Sequence, residues 1–485
     1  MVNYIGKKSS VLQALVITSD PQYPWTTEMD IGNDNRTEDE KKRISEDLIK
    51  EQYNSINAYT QNINRSIILI NGDLTAFGHG WQTGKMENLL GLLKKPYYLG
   101  LGNHDIENNL NDCYLNNCFR NSMKLLHRNI KKHNLPSSDV DINRISPYGG
   151  YKGSFAYAHY FGNLCSIQLN NFPTMNADSG EAQNAKPRYK IEENLNWLEA
   201  VLKKAKTLGK IIIVNVHKPD CWTIKPGCKD AKPNQRFKNL LKEYNVLAVF
   251  AGHYHQSLGY RGSYENYFGD VPVFLSGSAS QRSYLILEQT KNELLVYSVK
   301  NNNWKEKKLE KSIKYTVKLV GDYEIVSALN NNLALDVNID DNNNVMLWSR
   351  NQTSRQTWGF KYDYKQEAYQ IKSIHHPGEI SSLLHSAVLA WNDYNQAKDV
   401  FVTCNYHKPE HYWYLEYVGD EYYIIKNKKN PNLVLNVKGG QAHNGNDITV
   451  DVRNGKKAQM FKLNKIFGLP PLGSLPNVLE KETVE

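Results

Sequence analysis

Five times in the first 255 residues of this 485-residue chain, a short run of β-branched and other apolar residues stops on side chains able to bind a metal ion. VLQALVITS leads to Asp20-Pro21-Gln22, SIILIN to Gly72-Asp73, and YYLGL to Gly102-Asn103-His104-Asp105. IIIVNV leads to His217, and VLAVFA to Gly252-His253-Tyr254-His255. Runs of this length read as buried strands. In layered α/β sheets, functional groups collect in the loops beyond the carboxyl ends of strands, where a rigid scaffold aims them at one place. A lone Gly-Asp is ordinarily a turn and a lone strand-end His ordinarily structural. The order and placement of all five motifs together give them chemical meaning, and the glycines at 72, 102 and 252 allow the tight turns that aim the ligands at one point.

Two divalent cations held roughly 3.5 to 4 Å apart need one bridging carboxylate and several N or O donors. The motifs supply Asp20, Gln22, Asp73, Asn103, His217, His253 and His255. In this order they resemble the calcineurin-like metallophosphoesterase superfamily, whose pattern is DxH, GD, GNHD or GNHE, a strand-end His, and GHxH. The resemblance spans roughly residues 11 to 285. It implies an α/β fold with a central β-sandwich flanked by helices, and a hydrolase acting on phosphoric esters. It also implies a first cation held by Asp20, Gln22 and His255, a second held by Asn103, His217 and His253, and Asp73 bridging both. His104 then neutralises charge developing on the phosphoryl group, with Asp105 orienting its ring. The departure is Gln22, which stands where the family carries His. An amide oxygen is a harder, weaker ligand than imidazole, so manganese is favoured over iron or zinc. A DPQ first motif also occurs in a subset of the superfamily, so Gln22 reads as a variant.

Between the strands, helical spacing marks Glu40–Tyr59 and Ile191–Lys206, the latter through Leu195, Leu198 and Leu202. Tyr23, Trp25, Thr75, Lys218 and Tyr254 flank the ligands as substrate contacts or packing. The stretch from Glu107 to Tyr148 is a long excursion between motifs, readable as a substrate-selecting cap or a surface insertion.

After about residue 310 the texture changes to Asn-rich turns, many Tyr and Trp, and short alternating strands. A threefold echo runs through it. Tyr323-Glu324-Ile325, Tyr369-Gln370-Ile371 and Tyr423-Ile424-Ile425 open the units. Leu333–Val337, Leu383-Leu384-His385 and Leu433–Val437 follow, and Gln356 with Trp358, His411 with Trp413 and Gln459 with Phe461 close them. This pattern resembles the ricin-type β-trefoil lectin over about 318 to 465 and implies an all-β domain. In the first unit Asp336, Trp348 and Gln356 match the family's sugar-binding Asp, aromatic platform and Gln, with Arg355 at its Asn. The third unit has Asn436 and Asp451 at the Asp and platform positions, and the second is more degraded. Sugar binding and a structural or protein-binding trefoil stand as equal readings.

The expected domains are therefore 1–305, a linker 306–317, the trefoil at 318–465, and a Pro-containing tail 466–485. Apolar residues make up 40% and charged residues 22%, and no apolar run is long enough for a membrane-spanning helix. The net charge of +9 suits anionic partners, but the lysines are scattered and nucleic acid is disfavoured as a partner. Cys113 with Cys118 and Cys221 with Cys228 are close pairs, either able to form a disulfide in an oxidising compartment; neither has metal-ligand spacing of the CxxC kind, so structural or free thiols are expected. Residues 1–10 contain no apolar signal-peptide core. The lectin-like half points to an extracellular protein of toxin or virulence-associated type that acts on a phosphorylated substrate near surface glycans; a cytoplasmic protein is the alternative. The contrasting functional reading is a lectin-like binding protein with a catalytically weak phosphoesterase scaffold.

Overall fold

The computed structural model describes residues 11–145, 149–181, 187–223, 233–316, 318–375, 387–391, 398–419 and 421–466. Two compact units divide the chain, residues 1–317 and 318–485.

In the first unit, two six-stranded sheets share one core. One runs in the order Lys308–Lys314, Glu293–Val299, Tyr284–Gln289, Gln13–Thr18, Ser66–Asn71 and Tyr97–Gly100. The other runs Leu258–Tyr260, Val273–Ser276, Val246–Ala251, Ile211–Asn215, Leu164–Gln168 and Tyr157–Phe161. Their central strands QALVIT, SIILIN and IIIVN are buried at every position, as expected where both faces of a sheet are covered. The inner faces meet through side chains as well as packing: Gln168 Nε2 donates to Asn71 Oδ1 (3.0 Å) and Tyr157 Oη to the Leu99 carbonyl (2.7 Å).

Helices close the outer faces. Glu38–Thr60 starts where Thr37 accepts from the Glu40 amide and Glu40 caps the Thr37 amide in return, with three acidic residues in the first turn suiting the positive end of the helix. Asn117–Lys132 lies within the excursion 107–148. It buries Phe119, Met123, Leu126 and Ile130 in the main core, and Asn129 Oδ1 accepts from the Leu99 amide. That part of the excursion is core structure and not a surface insertion. The segment expected as a linker, 306–317, contains the strand Lys308–Lys314, paired with Glu293–Val299. An edge strand needs only one packed face, and charged side chains there discourage pairing with other chains.

The second unit is built from three sets of four strands. Gly321–Ser327, Leu333–Asn338, Asn344–Ser349 and Trp358–Asp363 form the first; Ala368–Ser373, Ala387–Trp391, Val400–Cys404 and Trp413–Gly419 the second; and Tyr422–Asn427, Leu433–Val437, Ile448–Val452 and Phe461–Lys465 the third. The first and fourth strands of each set pair with one another and with the neighbouring sets, so that six strands close into a ring. The middle two strands of each set form a hairpin. A six-stranded barrel with three hairpins is a β-trefoil. Trp358 and Trp413 are fully buried and donate to the carbonyls of Leu335 and Leu389, with Phe461 buried at the third equivalent place. Leu389 therefore occupies the place of Leu335. The described strand at that place is Ala387–Trp391; the expected Leu383-Leu384-His385 lies outside the described residues.

Candidate metal centre

Asp20, Asp73, Asn103, His217 and His253 follow the carboxyl ends of strands Gln13–Thr18, Ser66–Asn71, Tyr97–Gly100, Ile211–Asn215 and Val246–Ala251 by two or three residues. These strands lie parallel to a neighbour within their sheets, so the loops emerge at one edge of the sandwich. The turns are tight. Asp20, Gln22, Asp73 and His253 adopt left-handed φ of 53°, 40°, 50° and 72°, a conformation that costs free energy in non-glycine residues and gathers at functional sites. A Cβ on Gly102 would lie 2.2 Å from Asp73 Oδ1, and one on Gly252 would lie 2.0 Å from Ser19 Oγ. Close approach to the ligands leaves no room for a side chain at either place.

The donors converge in two overlapping groups. His217 Nε2 lies 3.0 Å from Asp73 Oδ2 and 3.0 Å from Asn103 Oδ1, and His253 Nδ1 lies 2.8 Å from the same Asn103 oxygen. His255 Nε2 lies 3.3 Å from Asp20 Oδ1, and ligand atoms of Asp20, Asp73 and His255 lie within 4.8 Å of one another. Asp73 belongs to both groups. Gln22 is fully buried, and its backbone amide donates to the Asp73 carbonyl at 2.8 Å. Asp20 Oδ1 and both side-chain polar atoms of Gln22 are buried with no hydrogen-bond partner among the described residues. Unpaired buried polar atoms are costly and uncommon in native proteins. Carboxylate and imidazole ligand atoms gathered in two overlapping groups, with Asp20 Oδ1, Asp73 Oδ2 and the Gln22 amide left without hydrogen bonds among the described residues, fit divalent cations.

Charge at two of the three imidazoles has the same sense. Burial opposes protonation of His217, but Asp73 and Asp20 outweigh it and raise its pKa to about 9. Burial likewise opposes protonation of His255, and Asp20 and Asp30 overcome it, raising the group to about 10. Around His217 and His255 the carboxylates favour positive charge, as a bound cation would supply in place of those protons, whereas burial and the neighbouring His217 lower His253 to about 4 and keep that ring neutral. His217 Nδ1 lies 2.8 Å from the Asn71 carbonyl, which leaves Nε2 for a cation.

His104 lines a cavity of about 440 Å³ together with Trp25, Met29, Asp30, Asp73, His253, Tyr254 and His255. Its Nδ1 lies 2.9 Å from the Ala76 carbonyl. Asp105 does not orient that ring, contrary to expectation. It is fully buried, and its oxygens accept from the amides of Leu74, Thr75 and Gly102 at 3.0 to 3.3 Å, tying the Gly72-Asp73 turn to the Gly102-Asn103 turn. Burial and the Asp73 carboxylate push its pKa up to about 7. Of the flanking residues, Trp25 and Tyr254 reach the cavity, while Thr75 Oγ1 accepts from the Gly78 amide and Lys218 Nζ pairs with Glu107 at 3.1 Å. Asp30 was not legible in the sequence. Its Oδ1 lies 2.5 Å from His255 Nδ1 and accepts from Trp25 Nε1, while Oδ2 accepts from Ser280 and Gln281. No motif surrounds Asp30, and nothing local to residue 30 points to residue 255.

On the trefoil, Ala334 pairs with Trp348 and Asp336 with Met346, which puts Asp336 and Trp348 on the same outer face of one hairpin as diagonal neighbours. Asp336 is buried and Trp348 is 39% exposed. Gln356 Nε2 donates to Asp336 Oδ2 (2.8 Å) and to the Ser349 carbonyl (2.9 Å). The equivalent positions are Ala390 and Thr403 in the second set, and Asn436 and Asp451 in the third. Only the first set combines an acid with an aromatic.

Fold and site together define a metallophosphoesterase-type sandwich joined to a β-trefoil. Residues 15–257, half of the chain, match the family described as calcineurin-like phosphoesterase, and the chain belongs to that family. The main hemagglutinin components type C and type D, of Clostridium botulinum C phage and D phage, are each 27% identical over 127 residues. That stretch is 25% of this chain and 40% of theirs, so the chain spans less than half the length of these curated relatives. Among solved structures, TT1561 of Thermus thermophilus is similar over 60% of this chain and 99% of its own, at 13% identity and a TM-score of 0.32. The ricin B-like lectin of Macrolepiota procera, solved with lactose, covers 31% of this chain and 100% of its own, at 14% identity and a TM-score of 0.26. No helix among the described residues is long and apolar enough to cross a membrane.

Proposed function

We propose that the N-terminal unit is a two-metal phosphoric ester hydrolase and that the trefoil holds it to glycosylated surfaces outside the cell. The observation that carries the first part is the convergence of Asp20 and Asp73 on the imidazoles of His217, His253 and His255, beside a buried Gln22 whose side-chain amide has no hydrogen-bond partner among the described residues. Asp20, Gln22 and His255 would hold one cation, Asn103, His217 and His253 the other, and Asp73 both. Bound there, divalent cations would supply Lewis acidity toward a phosphoryl group and acidify a coordinated water. The amide oxygen of Gln22 favours manganese.

The chain's own residues prepare the rest. His104, with Nδ1 engaged by the Ala76 carbonyl, can present Nε2 to a substrate in the cavity and, when protonated, donate to a phosphoryl oxygen. Trp25 stands edge-on to His104 and His255 with ring centroids 5.6 and 5.8 Å away, restricting both imidazoles. Asp105 holds together the two turns that carry Asp73 and Asn103.

On the trefoil, Trp348 offers a face for the C–H side of a sugar ring, with Asp336 and Gln356 for its hydroxyls. Tethering in this way raises the effective concentration of enzyme at the surface. The test is hydrolysis of para-nitrophenyl phosphate and bis-para-nitrophenyl phosphate with manganese. Activity in the wild type, with loss of both activity and bound metal in Asp73→Asn, is expected. No hydrolysis of either ester by a manganese-loaded wild type would overturn the reading.

A further inference from the structure

Outside the centre just described, a second set of metal-capable side chains meets where two helices begin. His79 immediately precedes Gly80–Leu90, and Cys118 lies in the first turn of Asn117–Lys132. Cys113 and Cys118 are joined as a disulfide with their Cα atoms 5.6 Å apart. The Nδ1 of His79 lies 3.6 Å from the sulfur of Cys113 and 3.4 Å from that of Cys118. Asp112 completes the group: one ligand atom from each of the four residues lies within 4.8 Å of all the others.

We propose that His79, Asp112, Cys113 and Cys118 form a zinc site whenever the two sulfurs are reduced. A disulfide needs neither an imidazole nor a carboxylate beside it. Two thiolates, one imidazole nitrogen and one carboxylate oxygen are a complete tetrahedral set for zinc. The surroundings hold the set in place. The His79 amide donates to Gln82 Oε1 at 3.3 Å, and its ring lies parallel to that of Trp81. The backbone of Gly78 presses on the helix that bears Cys118, so that a Cβ there would lie 2.6 Å from the Cys118 carbonyl oxygen. His79 and Cys118 are thus close before any ion arrives.

The chemistry balances with a dithiol as reductant. The S–S bond breaks, two electrons and two protons enter to give two thiols, and the reductant leaves as its own cyclic disulfide. Zinc binding then releases the two thiol protons to solvent. In an oxidising compartment the pair stays a disulfide, and in a reducing one it becomes a metal ligand. The proposal does not depend on the phosphoesterase reading, because the two-cation centre contains no sulfur ligand.

That difference supplies the test. The full chain is reduced with dithiothreitol, freed of reductant without oxygen, and titrated with cobalt(II). Thiolate-to-cobalt charge transfer in the near ultraviolet is expected to appear in the reduced protein alone and to vanish on adding zinc. It should be lost in Cys118→Ser and retained in Cys404→Ser, whose sulfur lies in the other unit. His79→Gln, which leaves both sulfurs in place, should weaken cobalt binding about tenfold or more. Absence of the band in the reduced wild type overturns the proposal, as does a band that survives Cys118→Ser. Should Cys118→Ser fail to fold, an unchanged cobalt affinity in His79→Gln overturns it equally.

Discussion

Asp30 Oδ1 lies 2.5 Å from His255 Nδ1, which directs the opposite nitrogen of that ring toward Asp20. Carboxylates in this position fix the tautomer and orientation of a ligating imidazole. Asp30 is itself held by Ser280, Gln281 and Trp25. Asp30→Asn should lower manganese affinity at the cation position shared by Asp20 and His255 by about 10- to 100-fold while sparing the other. Manganese titration followed by electron paramagnetic resonance resolves the two. Equal weakening of both positions would show that Asp30 acts through the fold and not through His255.

His104 reaches the cavity and its backbone amide donates to Asp73 Oδ1 at 2.8 Å, while its ring belongs to neither group of converging ligand atoms. His104→Ala should keep its full metal content and lose about 10²- to 10⁴-fold in kcat, the range for removing one proton-transfer or charge-stabilising group. Metal analysis beside steady-state kinetics checks both halves. Loss of metal in this variant would make His104 a ligand.

Trp348 and Gln356 should separate recognition from folding in the trefoil. Trp348 is 39% exposed, so Trp348→Ala should leave the melting temperature nearly unchanged and abolish glycan binding. Gln356 is buried, accepts from the Asn351 amide at 2.9 Å, and donates to Asp336 and Ser349. Gln356→Ala strands those groups and should destabilise the unit by about 1 to 3 kcal/mol. Thermal melts and a glycan array read the two effects. A glycan-array signal unaffected by Trp348→Ala would remove the sugar site from that face.

Acid should weaken the first unit through His159. Burial and the neighbouring His133 lower its pKa from the ordinary 6.5 to about 4. The unfolded chain takes up this proton first as pH falls. The stability due to a neutral His159 is thus complete above about pH 6.5 and is lost on descending toward pH 4, by at most about 1.4 kcal/mol per pH unit. His159→Gln should flatten the melting temperature of the first unit across that window. A variant as acid-sensitive as the wild type would assign the loss to other groups.

The sequence alone determined the class of the first unit and the seven candidate ligands. Most of them are announced locally, by an apolar run that ends two or three residues before, and the strand order then gathers those ends at one edge. The threefold pattern of Tyr, Leu-x-Leu and Gln-x-Trp was readable for the same reason, since each part serves its own repeat. In the second repeat the Leu-Leu pair at 383–384 lies outside the described residues, and the described strand, Ala387–Trp391, is shown by its pairing with Val400–Cys404.

Only the tertiary structure decided what depends on proximity between distant parts of the chain. Asp30 meets His255 across 225 positions, and His79 meets Cys118 across 39, with no periodicity at either end to announce the meeting. Asp105 sits beside His104 in sequence, yet points into the core to bind the amides of Leu74 and Thr75, because adjacent residues in a tight turn face different ways. Lys308–Lys314 became a strand because Glu293–Val299 offered it an edge. Local pattern reports which face of an element is buried. What lies against that face is settled by packing and hydrogen bonding through space.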